Sequence, residues 1–182
     1  MAFTTSAILN DDQRLPGRII KVNHAGEFGA INIYRAQIGV ARLFRQPHLA
    51  MLREFIAHEK KHLQIFGDEL ARRGVRRCRS YWLCGIGGFV LGLVTALLGR
   101  KGVMACTAAV ETVVTRHLEQ QLDVLDRIGD HEARTAVQAI LADEEEHRDT
   151  AVEEGFDCVF YKPVYALVMA ATESVIWLGM RL

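Results

Sequence analysis

Two tetrads in this chain carry the same pair of ligand types: Glu59-Lys-Lys-His62 and Glu144-Glu-Glu-His147. A Glu and a His three residues apart share one face of an α-helix, so both reach a single metal ion. Carboxylates bridge two ions, and imidazole suits iron. A lone glutamate precedes each tetrad: Glu27 lies 32 residues before Glu59, and Glu111 lies 33 residues before Glu144. One Glu-x-x-His is a weak signal. Two of them, each matched by a lone glutamate at nearly equal spacing, are a strong one. Four Glu and two His would hold two ions and leave positions open for dioxygen. Manganese accepts the same ligands as iron.

Long helices must position these residues, and the hydrophobic phase supplies them. Apolar residues recur with a period near 3.6 over about 18–44, 48–73, 102–127 and 132–155, and sustained alternation is missing, so the chain reads as all-α. The second helix has the stripe Leu52, Phe55, Ile56, Glu59, Leu63, Phe66, Leu70, with Glu59 where a hydrophobe belongs and His62 on the same face. The other stripes read Ile20, His24, Glu27, Ile31, Tyr34, Ile38; Met104, Ala108, Glu111, Thr115, Leu118, Leu122, Leu125; and Val137, Ile140, Leu141, Glu144, His147, Ala151. An ionised carboxylate facing a core is costly unless it is paired or bound to a metal. Pairing to cations is disfavoured, because Lys60, Lys61, Arg116 and Arg148 fall mostly on outer faces. His24 and Tyr34 are expected as packed core residues. Asp143 directly precedes Glu144, as His58 directly precedes Glu59, and Asp143 is expected to hold the second ring nitrogen of His62 from across the core. Glu145 and Glu146 are expected to meet water. The three prolines, Pro16, Pro47 and Pro163, are each expected at a helix start.

Bulk composition excludes several classes. The 182 residues suit one domain, 1–182. Lys plus Arg and Asp plus Glu both count 22, so no nucleic-acid partner is expected. Cys78, Cys84, Cys106 and Cys158 include no CxxC pair, which argues against a zinc ribbon or a rubredoxin-type site and for reduced thiols. The first residues contain no apolar core of a secretory signal, and Asp11 and Asp12 argue against a transit peptide.

Between Ser80 and Gly99 no residue is charged, and arginines and a lysine flank the stretch. Twenty such residues are long enough to span a bilayer. A single span would put Glu27, Glu59 and His62 on one side and Glu111, Glu144 and His147 on the other, which no shared metal centre permits. The segment, about 80–98, is therefore expected either to pack as a crossover within the domain or to dip into one leaflet and return, bent or closely packed at its glycines, with attachment to a lipid surface favoured over a buried crossover or a dimer interface. A second apolar segment, about 161–181, carries Trp177 as an interface anchor.

The inventory of lone Glu plus Glu-x-x-His, twice over, resembles the ferritin-like di-iron carboxylate bundles. The stretches RIIKVNHAGEFGAINIYRAQ, HEKKHLQIFGDEL, ALLGRKGVMACTAAVETVVTRHLEQQL and ILADEEEHRDTAVEEG resemble the demethoxyubiquinone hydroxylases, from about residue 18 to the C-terminus. That resemblance implies a ferritin-like four-helix bundle with a long apolar crossover and an extra C-terminal helix. It implies a di-iron monooxygenase that uses dioxygen and an external reductant to hydroxylate a polyprenyl quinone at the penultimate step of ubiquinone biosynthesis. The family's iron ligands fall on Glu27, Glu59, His62, Glu111, Glu144 and His147, with Glu59 and Glu144 bridging. It further implies a peripheral protein on the cytoplasmic face of a bacterial inner membrane, or the matrix face in a eukaryote. It leaves room for a homo-oligomer and for other ubiquinone-biosynthesis proteins as partners. One departure is Leu118, where family members often carry Tyr after the histidine matching His117. The competing reading is an iron-oxidising or iron-storage protein of ferritin or rubrerythrin type.

Overall fold

The computed structural model describes residues 11–154 and 161–182. Among them, six helices form: α1 (Asp11–Leu43), α2 (Leu49–Arg73), α3 (Tyr81–Leu97), α4 (Gly99–Ile128), α5 (His131–Glu153) and α6 (Lys162–Gly179). Helices α1, α2, α4 and α5 make the ferritin-like bundle, as two hairpins. α3 crosses from one hairpin to the other along α1, and α6 is the additional C-terminal helix, packed on α4.

Local chemistry sets the hairpin turns. Gly129 ends α4 with φ +77 and its N–H on Leu125 and Asp126 carbonyls, a left-handed position that costs a glycine nothing sterically. Asp130 then caps α5, accepting from the Ala133 N–H at 3.0 Å. Its two oxygens also accept from Arg73 at the end of α2, at 2.8 and 2.5 Å. The second hairpin is thereby tied to the first.

Two apolar layers fill the bundle, one above and one below a polar belt. One joins Ile31, Tyr34 and Ile38 of α1 to Leu52 and Phe55 of α2, Met104 and Ala108 of α4, and Ala151 of α5. The other joins Ile19, Ile20, Phe66, Leu70, Leu118, Leu125, Val137 and Ile140. In each helix the carboxylate of the stripe falls between the two layers. The sequence phase of all four stripes is therefore correct, with Leu63, Leu122 and Leu141 only half-buried.

α3 approaches α1 unusually closely. Gly88 faces the Gly29 backbone and Gly92 the Ile33 backbone, where any Cβ would collide. Gln37 Nε2 donates to Thr95 Oγ1 at 3.2 Å in the same buried seam. The glycines thus mark close packing of a regular helix, not a bend. The outer face of α3 exposes Trp82, Leu83, Ile86, Phe89, Val90, Val94 and Leu97, and α6 exposes Leu167, Trp177 and Leu178.

Two expectations change. Pro16 lies inside α1, which begins at Asp11 and not near residue 18. A proline this near an N-terminus forgoes one ladder bond, and its fixed φ is already helical. The basic flank of α3 is also partly committed elsewhere. Arg72 and Arg73 pair with Glu69, Arg73 also with Asp130, Arg77 lies over Tyr81, and Arg100 pairs with Glu154. Cys78, Cys84 and Cys106 are free and buried; Cys158 lies outside the described residues. Among the described residues, no helix is long and apolar enough to cross a membrane.

Candidate metal centre

All six candidate ligands converge in the polar belt. Glu27 is 5% exposed, Glu111 2%, Glu59 and Glu144 1%, and His62 and His147 0%. Their donor atoms form two overlapping groups, Glu27–Glu59–His62–Glu144 and Glu59–Glu111–Glu144–His147, with the atoms of each group within 4.8 Å of one another. Glu59 and Glu144 belong to both groups, so they are placed where bridging ligands would stand.

Both histidines turn the same nitrogen inward. His62 Nδ1 is 3.0 Å from Glu144 and 3.8 Å from Glu27. His147 Nδ1 is 3.3 Å from Glu59 and 3.5 Å from Glu144. The outward nitrogens have their own partners. His62 Nε2 is 3.0 Å from Asp143 Oδ2, as the sequence led us to expect. His147 Nε2 is 3.0 Å from Nδ1 of His58, whose ring stacks on it. With Nδ1 kept free for a metal, Nε2 carries the proton and donates in both cases.

This cluster is electrostatically unstable as a set of bare charges. Among the described residues no lysine or arginine pairs with its glutamates; Lys60, Lys61 and Arg116 are exposed, and Arg148 pairs with Asp149. Burial, with Glu59 and Glu144 nearby, pushes the Glu27 carboxyl well above its ordinary range. Burial and the same two neighbours do so for Glu111. Burial works against the charged imidazole at His62 and is overcome by Glu144 and Glu27, which hold its pKa up at about 12. At His147 burial is overcome by Glu144 and Glu59, at about 9. Glu144 goes the other way, to about 2: burial opposes its charge, and the two histidines outweigh it. Protons and imidazolium rings thus stand in for the positive charge that the site requires. Both oxygens of Glu59, Glu144 Oε2, and Nδ1 of His62 and His147 are buried without a hydrogen-bond partner. Buried polar atoms are rarely left so. Inward, unpartnered carboxylate and imidazole atoms are the donor set that iron, manganese or zinc takes, and the six residues fit a pair of such ions.

Three neighbours carry information that the sequence did not yield. His58 precedes Glu59 as Asp143 precedes Glu144, but its partner, His147, is given only by the fold. Tyr34, read as core packing, is buried but its hydroxyl donates to Glu111 Oε1 at 3.1 Å. An apolar cavity of about 260 Å³ was also not foreseen. It passes Gly88, Leu91, Val110 and Leu118, and ends on Glu27, Glu59, Glu111 and Glu144. Leu83 of α3 and Val175 of α6, both exposed, line its outer end. Leu118 is buried in its wall. His24 behaves as expected, packed against Tyr81 and Gly67 outside both ligand groups. Glu146 is exposed and Glu145 half-buried.

Fold and site together define a ferritin-like bundle with a buried carboxylate–histidine centre reached through an apolar cavity. The chain belongs to the ubiquinone biosynthesis protein COQ7 family, whose model matches residues 14–179. Its relatives include the mitochondrial NADPH-dependent 3-demethoxyubiquinone 3-hydroxylase of Dictyostelium discoideum, 37% identical over 90% of this chain and 76% of that protein. The 3-demethoxyubiquinol 3-hydroxylase of Rhodospirillum rubrum is 34% identical over 93% of this chain and 84% of its own length. The mitochondrial 5-demethoxyubiquinone hydroxylase of Saccharomyces cerevisiae is 32% identical over 91% and 77%.

Proposed function

We propose that residues 1–182 fold as one unit that hydroxylates the ring of a demethoxyubiquinone-type polyprenyl quinone with dioxygen, at the penultimate step of ubiquinone biosynthesis. Glu27, Glu59, His62, Glu111, Glu144 and His147 hold two iron ions, with Glu59 and Glu144 bridging. The observation that carries this reading is the apolar cavity that ends on four of these carboxylates.

The chain's residues have separable tasks. Asp143 and His58 fix the ring planes of His62 and His147 by accepting hydrogen bonds from their Nε2–H groups. Val110, Leu118 and Leu91 line the cavity and keep water from the reacting carbon. At about 260 Å³ the cavity is at the small end of ligand pockets and suits a substituted ring. The polyprenyl tail then leaves between Leu83 and Val175 onto the exposed apolar face of α3 and α6. Iron bound at the six ligands, reduced by an external donor such as NADPH, supplies the activation of dioxygen.

That apolar face also supports attachment to a lipid surface, since exposed patches of this kind mark membrane or partner contacts. We place the protein peripherally on the cytoplasmic face of a bacterial inner membrane, or the matrix face of a eukaryotic one. Co-sedimentation with vesicles of anionic lipid at low salt tests this; protein left wholly in the supernatant would refute it.

A ferritin-type storage protein would share the six ligands but has no use for an apolar cavity ending on them. The deciding experiment supplies the purified protein with iron, NADPH, isotope-labelled dioxygen and a demethoxyquinone. The expected product is the quinone with one labelled oxygen on its ring. No product from protein shown to hold two irons would reject the hydroxylase reading.

A further inference from the structure

We propose that the two metal positions are chemically unequal, with Asp143 making the Glu27–His62 position the tighter and His58 leaving the Glu111–His147 position the weaker. This inference rests on the two-metal reading above.

The internal repeat is broken at one place that matters. Each Glu-x-x-His is preceded by a residue that reaches across the core to the histidine of the other tetrad. In one direction the acceptor is a carboxylate, Asp143 Oδ2, 3.0 Å from His62 Nε2. In the other it is a neutral ring nitrogen, His58 Nδ1, 3.0 Å from His147 Nε2. An imidazole that donates its outer N–H to a carboxylate is the more basic ligand, because the partner's charge stabilises positive charge on the ring. Asp143 also brings one more negative charge towards the first position than His58 brings towards the second.

A second contact points the same way. The Tyr34 hydroxyl donates to Glu111 at 3.1 Å and draws charge from the terminal carboxylate of the His147 position. The contact of Glu27 is His62 Nδ1 of its own ligand group, at 3.8 Å. Lys61 opposes the asymmetry, standing 3.7 Å from Asp143, but its side chain is 64% exposed. Water screens it, and such pairs contribute little. The part-buried Asp143 and His58 contacts, with the buried Tyr34–Glu111 bond, therefore decide the order.

The test titrates metal-free protein with ferrous iron under anaerobic conditions. Two binding steps alone would prove nothing, because the first ion neutralises charge that Glu59 and Glu144 share with the second. The single-position variants separate the causes. Glu111→Gln is expected to keep the tighter site, and Glu27→Gln only the weaker, with affinities roughly 10–100-fold apart. Asp143→Asn, which removes no ligand and spares the buried core, should weaken the first step of the full protein by a similar factor. Asp143→Glu should restore part of it. His58→Asn should leave the first step unchanged. Equal affinities in the two glutamate variants would overturn the proposal, as would an Asp143→Asn titration identical to wild type. Failure of the wild-type protein to bind two ions would instead reject the metal reading on which it rests.

Discussion

Replacing Gly92 by alanine tests whether α3 sits where it does because two of its glycines admit the backbone of α1. A Cβ at Gly92 would stand 2.7 Å from Ile33 Cα, and one at Gly88 would stand 3.0 Å from the Gly29 carbonyl carbon. Ordinary contact begins at 3.4 Å, so Gly92→Ala forces at least 0.7 Å of separation (3.4 − 2.7) between two backbones that have no side chain to yield. Overpacking of this kind costs about 1–3 kcal/mol. Alanine also gains about 0.8–1.0 kcal/mol over glycine in a helix, which offsets part of that. Gly87, on the same helix, has open space where its Cβ would go, so Gly87→Ala keeps the gain without the clash. The propensity term cancels between the two variants. Their urea-unfolding free energies, followed by far-ultraviolet circular dichroism, should differ by about 1–3 kcal/mol, with Gly92→Ala the less stable. α1 and α3 both wall the cavity, so Gly92→Ala should also raise the KM for the quinone while leaving iron content unchanged. Equal stability of the two variants would refute the close-packing argument.

Glu144→Gln removes a donor common to both ligand groups, so it should lose both ions while remaining helical; iron analysis with circular dichroism checks this. Iron affinity should rise with pH through the neutral range, because protons on His62 and His147, whose pKa values are raised to about 12 and 9, must leave before either binds a metal. A pH-independent affinity would contradict that competition. Tyr34→Phe leaves a buried Glu111 oxygen without its donor and should destabilise the metal-free protein by about 1–3 kcal/mol in thermal or urea unfolding. Asp130→Ala removes the α5 cap, worth about 1 kcal/mol, together with the link to Arg73. Arg73 holds the Asp130 carboxyl below its ordinary value of 3.8, so its stabilisation is complete above that pH and is lost as the pH falls through the lower folded value. The stability gap between wild type and Asp130→Ala should therefore narrow in acid.

The belt of buried glutamates and histidines was legible because helical phase is a strong constraint. A glutamate in the middle of an apolar stripe has one place to point, and four such stripes with matched spacing must meet at one level of a bundle. Asp143 was legible for the same reason, since its position beside Glu144 aims it at the neighbouring helix. His58 holds the equivalent position before Glu59, but nothing local shows that its ring meets His147, 89 residues away. Tyr34 was read as packing because its stripe position is apolar; its hydroxyl contact, 77 residues distant in sequence, leaves no local pattern. The cavity was invisible because it is made by docking: α3 lies close on α1 only where Gly88 and Gly92 allow it, and α6 must close the far side. The repeat then explains why His58 matters. Each half of the chain supplies the outer partner for the other half's histidine, so a single difference between the halves, Asp143 against His58, gives the two proposed metal positions chemically different outer partners.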